Sequence, residues 1–144
     1  MRTYLQSGNA VLTTALTATQ VADAAGKALG KALSRDVGVV VRTAAQLVGV
    51  AEGWPFEGTV DSITKHVMFL RQASDVENLG LMRQKAIGLE RYWVSGCHIY
   101  LYLPDGMGRS KLGAWVTRRV GGTGATARNW NTVLALRDMG LGRR

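Results

Sequence analysis

The order of strand-type and helix-type patterns from Lys65 to the C-terminus constrains the fold more than any other feature of this sequence. Short apolar or alternating runs predict four strands, at residues 65–71, 91–94, 98–103 and 123–127. Helical patterns with a capping residue predict three helices, from Ser74 to about Arg83, from Ser110 to about Val120, and from Asn129 to Met139. The predicted order is therefore β-α-β-β-α-β, followed by a closing helix.

The residues before position 60 predict a shorter series of elements. Residues 4–6 and 9–13 are β-prone, and Ser7-Gly8 between them favours a hairpin turn. A helix capped by Thr17 or Thr19 is predicted to run to about Ser34, and residues 37–42 (VGVVVR) have the pattern of a buried strand. A second helix, capped by Thr43, follows. The order is thus β-β-α-β and then a helix.

These two series predict the fold class and the domain organisation. The order β-α-β-β-α-β is that of a ferredoxin-like unit, in which helices pack on one face of an antiparallel sheet. The earlier series is the same unit without its opening strand and helix. We therefore predict an α+β protein with tandem ferredoxin-like units, the first incomplete over residues 1–58 and the second over residues 59–144. The sequence WPFEG at 54–58 marks the boundary.

Composition excludes several classes of protein. The hydrophobic content of 47% is that of a globular chain, and no apolar run approaches the roughly 20 residues that span a bilayer. The single cysteine, Cys97, excludes an internal disulfide and a cysteine-cluster metal site. The first residues lack the pattern of a signal peptide. We expect a soluble, cytoplasmic protein that does not bind membranes.

Positive charge is concentrated near the C-terminus, where residues 105–144 hold eight Arg or Lys against two acids in a chain of net charge +8. The stretch 106–132 contains two predicted helix starts, and helix N-termini favour phosphate or carboxylate groups. We therefore predict a small phosphorylated or carboxylate ligand. The candidate ligand-binding residues are Gly106, Gly108, Arg109, Ser110, Lys111, Arg128, Asn129, Trp130, Gln6 and Asn9.

Each of these groups also has a structural interpretation. The glycines and cations at 106–111 are typical of a strand-to-helix turn, and the spacing is not that of a Walker A loop. Trp130 at a helix start is typical of a core anchor. The residues Gln6 to Asn9 are explained by a hairpin turn. Arg128 is the residue in this set that we most readily assign to function.

The alternative function is a nucleic-acid-binding module that uses the basic C-terminal third of the chain together with a tyrosine face. Along residues 98–103 the apolar side chains alternate with His98, Tyr100 and Tyr102, so an aromatic face is predicted on one side of a strand. RNA-recognition modules stack bases on such a face, although their signature phrases are absent here. The opposing interpretation is that this face packs against the other half of the chain, with the tyrosine hydroxyls hydrogen-bonded.

The residue types of enzyme active sites are poorly represented. His66 and His98 lie in apolar strand patterns and are expected to be structural. Cys97 is adjacent to His98 in sequence, but neighbouring strand residues point to opposite faces, and no third group is evident to orient the histidine. The acids are scattered without helical spacing. We expect no metal and no cofactor, and the sequence leaves open whether the protein is an enzyme.

Three separated phrases resemble the bacterial domain-of-unknown-function 1697 family. They are RTYLQSGN at 2–9, LPDGMGRSKL at 103–112 and TARNWNTVLAL at 126–136, and VVVRTAAQL at 39–47 adds to them. The resemblance implies two ferredoxin-like units in tandem and no assigned activity. Members usually begin about 30 residues earlier, with a strand, a glycine-rich turn and a helix, so we expect that Met1 is a misplaced start.

Such an earlier start has two consequences. Without its opening strand, the first half-sheet would expose an edge that favours oligomerisation. The absent turn would also be a place for the catalytic groups of a small transferase or hydrolase, which is a third functional interpretation.

Overall fold

The computed structural model describes residues 2–4 (backbone only), 8–59, 61–73, 88–120 and 124–142. The described residues form an α+β protein, as predicted. The strands are β1 (Arg2–Tyr4), β2 (Asn9–Val11), β3 (Lys65–Phe69), β4 (Arg91–Ser95), β5 (His98–Tyr102) and β6 (Thr126–Asn129). The α-helices are α1 (Ala18–Leu33), α2 (Ala44–Glu52), α3 (Lys111–Val120) and α4 (Trp130–Gly140). The predicted helix from Ser74 lies outside the described residues.

Each α-helix begins at a polar side chain that accepts a hydrogen bond from a backbone N–H three residues later, which satisfies one of the free donors of the first turn. The caps and their donors are Thr17 with Gln20, Thr43 with Gln46, Ser110 with Gly113, and Asn129 with Thr132. The predicted caps at Thr43, Ser110 and Asn129 are confirmed, and Thr17 rather than Thr19 begins α1.

Two antiparallel sheets are present among the described residues. β1 pairs with β2 as the predicted hairpin, and the larger sheet has the order β4-β5-β3-β6. Both β5 and β6 run antiparallel to β3, so they run parallel to each other and end at the same end of the sheet. Because α3 follows β5 and α4 follows β6, both helices begin at that end.

The two faces of the larger sheet support two separate cores. One core joins Ile99, Leu101 and Leu103 to α3, and the other joins Tyr100 and Val67 to α2 and α4. This division confirms the alternation predicted for β5. The sheet is therefore covered on both faces, by α3 on one and by α2 and α4 on the other.

The prediction of a strand at residues 37–42 is wrong, because the segment pairs with neither sheet. Its apolar residues are half-buried, and Val40 packs against the core formed by α2 and α4. Gly38 lies against Gly124, where a Cβ on Gly38 would come within 2.8 Å of the Gly124 Cα. A continuous apolar run indicates that a segment is buried, but it does not specify strand pairing. Here the segment is buried by tertiary packing without pairing to a strand.

Arg42, at the end of this segment, joins the first half of the chain to the larger sheet. Its Nη2 donates to the carbonyl oxygens of Leu70, at 2.6 Å, and Cys97, at 2.9 Å. The guanidinium carbon also lies 5.6 Å from the centre of the Phe69 ring, which is within range of a cation–π interaction. Burial lowers the pKa of Arg42.

The Arg42→Met variant is expected to unfold more easily than the wild type. It removes a charged donor from two carbonyl groups, and losses of this kind reduce the free energy of unfolding by about 1.5–3 kcal/mol. Urea denaturation measures the change. Arg35→Met, at an exposed position, is the control and should change stability by less than about 0.5 kcal/mol. Equal effects of the two variants would contradict the assigned role of Arg42.

Candidate functional site

Four cations lie at the end of the sheet where α3 and α4 begin, and we call Lys65, Arg91, Arg109 and Lys111 the basic rim. Arg91 and Lys65 are both Cα partners of Tyr102, one on each side of β5. Arg109 and Lys111 flank Ser110, the cap of α3. Arg91, Arg109 and Lys111 are exposed, and their side chains form no hydrogen bond, ion pair or ring contact with another described residue. These three cations of the rim therefore present free positive charge to the solvent.

The N-terminus of α3 already contacts a carboxylate of the chain itself. The Ser110 hydroxyl donates to Oε2 of Glu90 and accepts the Gly113 N–H at 2.8 Å. Ser110 is buried, and its hydroxyl both donates and accepts a hydrogen bond. An external anion is predicted at this helix start, where the carboxylate of Glu90 already contacts the cap. The exposed cations beside Ser110 are thus better placed for an external anion than the hydroxyl itself.

Gly106 and Gly108 form the turn before α3. Gly106 has a φ of +82°, in the region that favours glycine, and it leads into a short 3₁₀ turn, Met107–Arg109. A Cβ on either glycine would meet no atom within 4 Å. Backbone geometry explains Gly106, and the open space at both positions leaves the turn accessible to a ligand.

Arg128 and Asn9 lie in contact with each other. Arg128 Nε donates to Oδ1 of Asn9 at 2.7 Å, and Nη1 donates to the Ala127 carbonyl at 2.8 Å and to the Thr126 hydroxyl. Asn9 is only 8% exposed. Burial lowers the pKa of Arg128. These bonds connect β2 to β6 and assign Arg128 a structural role. Gln6, predicted beside Asn9, lies outside the described residues.

Trp130 packs in the core at the start of α4, as its structural interpretation predicted. Its ring lies 5.2 Å from that of Trp54, and Lys65 Nζ lies 5.0 Å from the centre of each ring. Asn129, the cap, is exposed. Lys65 and Trp54 were not predicted to belong to this end of the sheet. Lys65 lies at this end of the sheet because of the strand register, which the sequence does not specify. The sequence WPFEG at 54–58 was predicted only as a domain boundary.

The predicted tyrosine face is mostly covered. Tyr100 is 2% exposed, and its hydroxyl donates to the Val50 carbonyl at 2.8 Å. This contact is the packing that the alternative interpretation predicted, and it removes Tyr100 as a stacking surface. On the same face Trp93, the Cα partner of Tyr100 on the edge strand β4, is 57% exposed.

A groove that includes no residue of the rim lies between α1 and the segment that follows it. It is an open groove of about 740 Å³. Its lining includes the cations Lys27, Lys31, Arg35 and Arg71, together with Asp23 and Asp36. Because both cationic and acidic side chains line this groove, it favours an anion less than the basic rim does.

No hydrogen bond joins the side chain of His66 or His98 to Cys97. The His98 ring packs edge-on against Tyr100, with ring centres 5.0 Å apart, and Cys97 is a free, half-buried thiol. The atoms Nε2 of His98 and Nδ1 of His66 are buried without a hydrogen-bond partner among the described residues. Among the residues that the structure describes, no cluster of His, Cys, Asp or Glu could hold a metal ion.

These histidines predict that stability falls on mild acidification. Burial lowers the pKa of His66 and of His98, and the charge of Arg42 adds to the effect at His98. Below the ordinary value of 6.5, the unfolded state therefore binds more protons than the folded state. We expect a smaller free energy of unfolding at about pH 5.5 than at about pH 7.5, a window above the ordinary carboxyl pKa values. Urea denaturation at both pH values measures it, and an unchanged pH dependence in a His66→Gln/His98→Gln variant would contradict this origin.

Comparison with known proteins identifies a family. The family model described as "Protein of unknown function (DUF1697)" matches residues 1–100. The matched region contains the phrases RTYLQSGN and VVVRTAAQL, whereas LPDGMGRSKL and TARNWNTVLAL lie beyond it. No curated protein and no solved structure matches the chain. No described helix is long and apolar enough to cross a membrane. The family match covers more than half of the sequence, and the chain belongs to this family of unknown function.

Proposed function

We propose that the protein binds a small ligand carrying a phosphate or carboxylate group at the basic rim. The observation that carries this proposal is that β5 and β6 end at the same end of the sheet, so that two helix starts and four cations lie at that end. Helix starts and cations both favour an anion, through the helix dipole and through charge-assisted hydrogen bonds.

The balance of charge at this end of the sheet supports the proposal. The side chains of two nearby acids are already bonded within the chain, Glu90 to the Ser110 hydroxyl and Asp61 to the Ile63 N–H at 3.1 Å. Asp105 is the exposed acid of the turn. Arg91, Arg109 and Lys111 outnumber it, so the field at the rim favours an anion.

The predicted residues have different parts in this proposal. Arg109 and Lys111 contact the anion, and Gly106 and Gly108 leave the space that it enters. Asn129 contributes through the exposed start of α4. Four further candidates are held in contacts within the chain and support the fold instead of contacting the anion. They are Ser110, Arg128, Trp130 and Asn9.

We also propose that residues 59–144 form one ferredoxin-like unit and that residues 1–58 form a second, incomplete one. The strand order β4-β5-β3-β6 supports the former, because a β-α-β-β-α-β chain has this order when its helices pack on one face. The succession β1-β2-α1 supports the latter. The helix expected between β3 and β4 falls within residues 74–87, outside the described residues.

Thermal unfolding with a panel of ligands tests the proposed function. The panel contains inorganic phosphate, citrate, ribose 5-phosphate and nucleoside monophosphates. A ligand at about 100 times its Kd adds about 2.7 kcal/mol to stability. In Arg109→Ala/Lys111→Ala we expect affinity for the same ligand to fall about tenfold, because two charged donors are lost.

Arg118→Ala is the matched control, because it removes an exposed cation from the last turn of α3 and leaves the rim intact. Its affinity should stay within about twofold of wild type. Equal losses in the two variants, or no ligand that raises the melting temperature, would contradict the proposal. A log–log salt slope that grows with the length of an RNA ligand would instead favour the nucleic-acid alternative.

A further inference from the structure

Trp93 is the exposed aromatic residue of the larger sheet that the proposed function does not use. It is 57% exposed, whereas its Cα partner Tyr100 is 2% exposed. Trp54 packs edge-on against Tyr100, with ring centres 5.6 Å apart, on the side of β3 and β5. Trp93 stands on the edge strand β4, beside that covered region, and the indole therefore faces solvent.

The basic rim begins directly beside this indole. Arg91 precedes Trp93 by two positions and so lies on the same face of β4, about 7 Å along the strand. Tyr102 is the Cα partner of Arg91, and Lys65 is that of Tyr102. A flat aromatic surface thus adjoins a row that contains two cations. This pairing suits a molecule with a flat base at one end and a phosphate at the other.

We infer that the ligand of the basic rim is a nucleotide, whose base stacks on Trp93 while its phosphate contacts Arg91 and the neighbouring cations. This inference rests on the proposed function. Stacking on an exposed indole discriminates little among bases, because every base has a π-face. A base and a phosphate are present both in a free nucleotide and in each nucleotide of a single strand. An isolated exposed apolar side chain without a function is the alternative.

A comparison of AMP with ribose 5-phosphate tests the stacking alone, because the two ligands differ only in the base. Isothermal titration calorimetry of the full chain measures both. We expect AMP to bind about tenfold more tightly, and Trp93→Ala to remove this difference without changing the affinity for ribose 5-phosphate. Trp93→Phe retains a ring and should keep part of the preference. The exposed position of residue 93 favours folding of both variants, and circular dichroism verifies it.

The failure of this inference can be told apart from the failure of the proposed function. Equal affinities for AMP and ribose 5-phosphate, both weakened by Arg109→Ala/Lys111→Ala, would overturn the nucleotide inference and leave the anion site in place. Affinities insensitive to that double variant would overturn the anion site itself.

A series of adenosine oligonucleotides distinguishes the two sources of the base and phosphate. An affinity that is constant from one to eight nucleotides identifies a free nucleotide, and one that rises with length and falls steeply with salt identifies a single strand. Trp93→Ala must weaken binding in either case. An unchanged affinity of this variant for both AMP and the oligonucleotides would overturn the inference.

Discussion

The central position of β3 is the constraint on which the rest of the structure depends. Because β5 and β6 each pair with β3 in antiparallel fashion, they must run parallel to each other and end together. The starts of α3 and α4 follow from this pairing, one on each face of the sheet. Lys65, the first residue of β3, consequently lies at this end of the sheet, with its ammonium over the ring of Trp130 at the start of α4.

Groups at the starts of α3 and α4 that could bind an anion already form hydrogen bonds within the chain. At α3 the Ser110 hydroxyl contacts the carboxylate of Glu90, and at α4 the Asn129 side chain accepts the Thr132 N–H. Each contact satisfies groups at a helix start that would otherwise bind water or a ligand. The cations beside the caps remain exposed, so the capacity to bind an external anion resides in side-chain charge more than in backbone N–H groups.

Aromatic rings and two arginines connect the first part of the chain to the larger sheet. Trp54 contacts Tyr100 and Trp130 edge-on, and Lys65 lies over two of these rings. Arg42 and Arg128 donate hydrogen bonds across the same boundary, to carbonyl groups and to an amide oxygen. Burial of a guanidinium is favourable only with such acceptors, so these contacts set the arrangement of the parts as well as their stability.

Features that depend on nearby residues could be predicted from the sequence. The caps at Thr43, Ser110 and Asn129 could be predicted because a cap and its donor lie three positions apart. The two faces of β5 followed from alternation, because strand geometry requires it. The apolar run at 37–42 predicted a strand that does not form, because burial without strand pairing produces the same pattern.

Contacts between residues that are far apart in sequence depend on the tertiary structure. Glu90 and Ser110 are 20 residues apart in sequence, and Asn9 and Arg128 are 119 apart. Such contacts depend on strand register and on packing between elements, which no local pattern specifies. The basic rim has the same origin. Arg109 and Lys111 were predicted from their neighbours in sequence, whereas Lys65 and Arg91 joined them because β3 and β4 both pair beside β5.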